Sequence, residues 1–202
     1  MLDVSKYTVL DFETTGLKQR IGVVSCCIMV YENGKRVHHD YFECNPEAEI
    51  DPKAFETHHI PQERVDKLPP FSEFWDRIKP YIENHVIVGH NVWKYDVLSV
   101  LVPNLEHYCI TIPTMEVVDT MLLAKKVMQL KTFDGKHNLE SCCKYYNIPI
   151  ENHHHAAYDV YMTQRVFAHE YNELRGEIEP FIYEGEYDPR KGETSSDVEL
   201  PF

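Results

Sequence analysis

The sequence predicts an α/β protein built on a mixed sheet flanked by helices, and three observations lead there. Apolar β-type runs at 8–12, 22–31 and 36–44 come first, with turn residues between the second and third. Helical and strand patterns then alternate, the order expected of layered α/β architecture. Finally, 202 residues suffice for one domain with a full hydrophobic core plus a short appendage.

Each element follows in order. The Glu32-Asn33-Gly34-Lys35 stretch is a hairpin turn that joins the second and third runs into a meander. Helical spacing over 71–82 precedes a short buried strand at 86–89, a turn through His90 and Asn91, and a helix opening near Asp96. A strand at 116–119 and helices at 120–128, 139–146 and 155–171 complete the pattern, with Asn138 as an N-cap. After Gly176 the periodicity ends. The expected division is therefore a domain over 1–175 and an acidic tail over 176–202 with an apolar tip.

The first strand ends in two carboxylates, Asp11 and Glu13. Alternate residues of a strand share a face, so the two project to one side, about 7 Å apart along the chain, with Phe12 turned to the core. Oxygen donors fixed on a rigid element suit Mg²⁺ or Mn²⁺. Thr14, Thr15 and Gly16 follow, a polar pair and a glycine that let backbone approach a ligand. Downstream stand Asp96 and, among apolar residues at helical spacing, Asp159. His154, five residues before Asp159, would titrate near neutrality and could take a proton from water.

The order D-x-E, H-N-x4-D, H-x4-D resembles the DEDD exonuclease superfamily in its histidine variant. That group includes the proofreading subunit of bacterial DNA polymerase III, oligoribonuclease and RNase T. The likeness covers roughly 6–171 and extends to ENGK at 32–35, AFETHHI at 54–60, VDT at 118–120 and HNLESCCKYYNIP at 137–149. It implies a ribonuclease H-like fold, with the site at the ends of the central strands. It also implies that Asp11, Glu13 and Asp159 hold two divalent cations, Mg²⁺ or Mn²⁺, directly, and that Asp96 acts on the second through water. His154 would be the general base, chosen over His153 and His155 by the family's spacing. His58 matches a substrate-contacting histidine, and Thr14, Thr15 and Gly16 match the segment along the terminal nucleotide, with His90 and Asn91 beside the substrate. The chain departs from the family pattern at Ser25, where relatives often carry Glu or Gln. The spacing of six from His90 to Asp96 is also one longer than in many relatives.

Composition narrows the function. Twenty Lys and Arg against 33 Asp and Glu give a net charge of −13, which repels phosphate chains at long range and argues against a general duplex-binding surface. Short single-stranded 3′ ends, gripped by stacking and metal contacts, fit better. Tyr95, Trp93 and Phe12 are candidates for stacking or for the core. The six cysteines show no C-x-x-C spacing and read as buried thiols. No signal peptide opens the chain and no apolar run approaches a membrane span, so a cytoplasmic location without membrane attachment is expected.

The tail's ending, DVELPF, looks like the sliding-clamp-binding peptide and the acidic tip of single-stranded-DNA-binding protein. Leu200, Pro201 and Phe202 would then dock on a clamp, a polymerase or the receptors of that tip, or fold back on the domain. The functional expectation is a metal-dependent 3′–5′ exonuclease releasing nucleoside monophosphates from single-stranded or frayed DNA ends, in replication proofreading or repair. The alternatives are an exoribonuclease on short RNA, an endonuclease of ribonuclease H type, and an inactive binding module.

Overall fold

Alternation sorts β1, Lys6–Thr14, onto two faces: Leu10 and Phe12 enter one apolar core, Tyr7 and Val9 another. The computed structural model describes residues 2, 4–17, 22–128, 136–150 and 156–185. His153, His154 and His155 lie outside these residues, as do Leu200, Pro201 and Phe202.

Strands β2, Val23–Glu32, and β3, Lys35–Glu43, complete the expected antiparallel meander. Their hairpin turns on Asn33 (φ 49°) and Gly34 (φ 75°), the two positive φ values of a type I′ turn, which residues of these types adopt readily. β4, Val86–Gly89, and β5, Met115–Asp119, run parallel to β1, and with β6, Phe181–Tyr183, the sheet has the order β3-β2-β1-β4-β5-β6. This is the mixed sheet the sequence predicts. β4 pairs with β1 only as far as Val9, so the Asp11 end of β1 projects beyond its parallel neighbour. That overhang, where the chain switches direction across the sheet, is where α/β folds place their ligands.

Helices cover both faces. On one, α7, Ala156–Glu173, packs Val160 and Phe167 against Tyr7 and Val9. On the other, a 3₁₀ turn at Phe71–Phe74 runs into α3, Trp75–Glu83, and a π-helix spans Trp93–Leu101, all closing over Leu10, Phe12 and Ile87. α1, Pro52–His58, and α2, Gln62–Val65, follow β3; α4, Val102–His107, continues the π-helix. α5, Thr120–Val127, and α6, Leu139–Tyr145, form a third cluster with α7 through Ala124, Cys142 and Met162. Asn138 caps α6 as expected, accepting from the Ser141 N–H at 2.9 Å.

Two differences from the sequence reading bear on function. The helix expected to open near Asp96 begins at Trp93 and is a π-helix: the Val97 N–H donates to the Val92 carbonyl five residues back, at 2.9 Å. Such π-turns occur often at functional sites, and this one falls within the six-residue spacing from His90 to Asp96. The second difference is β6, Phe181–Tyr183, which pairs antiparallel with β5 inside the segment read as tail. Three residues after a proline are too short to show a strand period. All six cysteines are free thiols and five of them are buried. Among the described residues no helix is long and apolar enough to cross a membrane.

Candidate active site

The odd-numbered residues of β1 face α7, so the alternation that buries Tyr7 and Val9 also aims Asp11 and Glu13 at that helix. Asp159, in the first turn of α7, meets them. One carboxylate oxygen from each of Asp11, Glu13 and Asp159 lies within 4.8 Å of the other two. Asp96 reaches the same strand from the opposite face: its Oδ1 accepts the Phe12 N–H at 3.1 Å, a donor left open because β1 outruns β4. Strands β1 and β4, α7 and the π-helix thus bring all four acids to one place.

Crowding shows in their protonation. Burial first, then the charges of Asp96, Glu13 and Asp159, holds the Asp11 carboxyl well above the usual range. Glu13 is pushed up to about 8 by burial and by Asp159 and Asp96. Asp96 also reaches about 8, chiefly through burial; the Phe12 N–H opposes the shift and Asp119 adds to it. An all-oxygen donor set whose members resist ionising beside one another fits a hard divalent cation, whose charge would relieve the repulsion.

A cleft of about 600 Å³ opens beside Glu13, a size that holds a small ligand. Thr14, Gly16, His58 and Asn91 line it, as do Tyr95 and the exposed Lys53. Gly16 has φ 114° and approaches α1 so closely that a Cβ would sit 3.0 Å from that of Asp51. His58 closes one wall. It is 6 % exposed, and its Nδ1 accepts the Ile60 N–H at 3.0 Å, which leaves the proton on Nε2. Burial lowers its pKa, so the ring is neutral at pH 7. Tyr95 and Thr14 join across the cleft, hydroxyl to hydroxyl, at 2.6 Å.

Two predicted substrate residues stand behind this lining. Thr15 uses its hydroxyl to accept the Gly22 N–H at 3.0 Å and its carbonyl to accept that of Asp51 at 2.9 Å. His90 pairs through Nδ1 with the Thr120 hydroxyl at 2.9 Å, and Thr120 in turn donates to the Gly89 carbonyl. Of the aromatic candidates, Tyr95 lines the cleft, Phe12 touches both cleft and core, and Trp93 is 4 % exposed in the core. Ser25 lies directly opposite Glu13 on β2 and is fully buried.

Sequence reasoning passed over Asp119, the middle of VDT. It caps α5, and its carboxylate accepts the N–H groups of Asn91 (3.0 Å), Trp93 (3.2 Å) and Met121 (3.0 Å). It thereby fixes the turn that leads into Asp96. Its signal was local: an acid at the junction of a strand and a helix. Asp119→Ala is expected to lower stability by about 2–4 kcal/mol, because it strands buried donors as well as removing a cap. Thermal melting checks this; an unchanged midpoint would show that the carboxylate is dispensable.

Residues 8–167 match the exonuclease family represented by RNase T. The chain is 27 % identical over 169 residues to a DNA polymerase III of PolC type from Staphylococcus saprophyticus, covering 82 % of this chain and 11 % of that protein. It thus spans about a tenth of the length of the curated relatives it matches. Among solved structures, exonuclease X in complex with 5′ overhanging duplex DNA superposes with a TM-score of 0.64 at 24 % identity, over 82 % of this chain and 91 % of that one. The nuclease domain of 3′hExo, a DEDDh family member bound to rAMP, gives 0.70 at 12 % identity over 90 % and 97 %. The match over 8–167, with four acids converging at the end of the first strand, makes this chain a member of the exonuclease family represented by RNase T.

Proposed function

We propose that the protein is a divalent-cation-dependent 3′–5′ exonuclease that releases nucleoside monophosphates from single-stranded or frayed DNA ends. The convergence of Asp11, Glu13 and Asp159 at the edge of a nucleotide-sized cleft carries this reading. These three would hold two cations, Mg²⁺ or Mn²⁺, with Asp96 completing the set. Cations bound there would neutralise charge on the scissile phosphate and acidify the attacking water. His154 takes the proton from that water. The Nε2–H of His58 donates to the substrate within the cleft. Thr14, Gly16 and Asn91 position the terminal nucleotide, and Thr15 and His90 hold the backbone behind them. The net charge of −13 favours short single-stranded ends over long duplex tracks.

The similarity to PolC-type polymerases supports a role in replication proofreading or repair. The docking proposal for Leu200, Pro201 and Phe202 belongs to the same setting, with a clamp, a polymerase or the receptors of the single-strand-binding tip as partner. A second reading, an exoribonuclease on short RNA, is favoured by the superposition on a nuclease domain bound to rAMP. One experiment separates them: 5′-labelled single-stranded DNA and RNA oligonucleotides incubated with Mg²⁺, Mn²⁺ or EDTA. The expected product is a ladder shrinking from the 3′ end, faster on DNA and absent in EDTA. Faster decay of RNA would transfer the assignment to RNA, and internal cuts or an inert protein would overturn it.

A further inference from the structure

Strand β6 lies beyond the stretch that matches the family, which ends at residue 167, yet it reaches back to the segment carrying Asp96. Phe181 stacks on Trp93, with ring centroids 5.0 Å apart and planes at 13°. Trp93 is the first residue of the π-helix, and Asp96 sits in that helix's first turn. The helix needs outside support there. The N-cap, Val92, provides no side-chain hydrogen bond, and a π-turn is a less favourable register than an α-turn. What fixes the first turn is tertiary: Asp119 accepts the Trp93 N–H, Asp96 accepts the Phe12 N–H, and the Phe181 ring lies against the indole.

We propose that Phe181 is a positioning residue of this nuclease: by stacking on Trp93, β6 holds the first turn of the π-helix at the height and rotation that bring the Asp96 carboxylate to Asp11 and Glu13. The strand is anchored for this task, since Phe181, Ile182 and Tyr183 pair with Val117, Glu116 and Met115 of β5. Phe181 is not among the residues that line the cleft, and its ring contact with this helix is the one to Trp93. The inference rests on the reading of Asp96 as part of the cation-holding set.

The test compares the full chain with Phe181→Leu, which keeps apolar volume and removes the stack, with Phe181→Trp, which restores an aromatic face, and with Tyr183→Ala. Tyr183 packs on the same core from the same strand without a ring contact to Trp93, so it reports general loosening. Mn²⁺ binding by calorimetry is measured beside kcat, KM and the melting temperature. Phe181→Leu is expected to weaken Mn²⁺ binding and lower kcat about three- to tenfold, the scale of one aromatic pair, with KM within about twofold of wild type. Phe181→Trp recovers both, and Tyr183→Ala lowers the melting temperature while leaving Mn²⁺ binding alone. Wild-type Mn²⁺ binding and kcat in Phe181→Leu, or the same losses in Tyr183→Ala, would overturn the positioning role. A wild-type chain that binds no Mn²⁺ would overturn the reading of the site itself, and the positioning role with it.

Discussion

Asp11→Asn is expected to reduce hydrolysis by at least about 10³-fold while raising the melting temperature of the cation-free protein. Losing one anionic oxygen donor would forfeit several kcal/mol of charge stabilisation at the phosphate, and 4 kcal/mol is about a thousandfold in rate. The gain in stability has the same origin. Asp11 is buried against Glu13, Asp96 and Asp159, and its ionised form repels all three. An amide of the same shape removes that repulsion.

The pH dependence gives this expectation its sign. Glu13 and Asp96 titrate near 8 in the fold, against about 4 in an unfolded chain. Between those limits the folded state binds more protons than the unfolded one, so cation-free stability is greatest at low pH and declines as pH rises from about 4 to about 8. Added Mg²⁺ should therefore raise the melting temperature more at pH 8 than at pH 6, because the donors must be deprotonated to bind it. Melting curves in EDTA and in Mg²⁺ across that range, for wild type and Asp11→Asn, test both halves. A wild-type midpoint in EDTA that ignores pH would show that the acids are not crowded as described, and Asp11→Asn keeping a tenth of the activity would remove Asp11 from the essential set.

Glu13 and Asp11 were legible in the sequence because a period of two is a local property: once 8–12 is a strand, their common face follows. Asp159 was legible for the same kind of reason, its helix being written in the spacing of Val160, Met162, Val166 and Phe167. What brings Asp96 to them is not local. Its hydrogen bond to the Phe12 N–H spans 84 positions and depends on β4 stopping short of the end of β1, which pairing decides and composition does not. The π-register around Asp96 was visible only as an odd spacing. Glu170 shows the limit most clearly: it reads as an ordinary polar helical residue, yet it is fully buried, and neither carboxylate oxygen has a hydrogen-bond partner among the described residues. Burial, then Asp119 and Glu173, raises its pKa well above the usual carboxylate range. Nothing in its sequence neighbours announces that.

His154→Ala is expected to lower kcat by roughly 10²-fold or more while leaving KM and Mn²⁺ binding near wild type, the signature of a lost general base. His154 falls two positions before Ala156, where α7 begins, and five before Asp159, which the first turn of α7 brings to Asp11 and Glu13. The four acids do not serve in its place, since under the proposed reading each would be taken up in holding the cations. An imidazole, which loses its proton near 6.5, is the group suited to accept one at neutral pH. The rising limb of the wild-type kcat profile should accordingly follow a group titrating in that range, and the limb should disappear in His154→Ala. His153→Ala and His155→Ala serve as controls, because a role that belongs to the run of three histidines as a whole would weaken all three variants alike. Full turnover in His154→Ala, or an equal loss in His153→Ala, would take the base away from His154 and reopen the assignment among its neighbours.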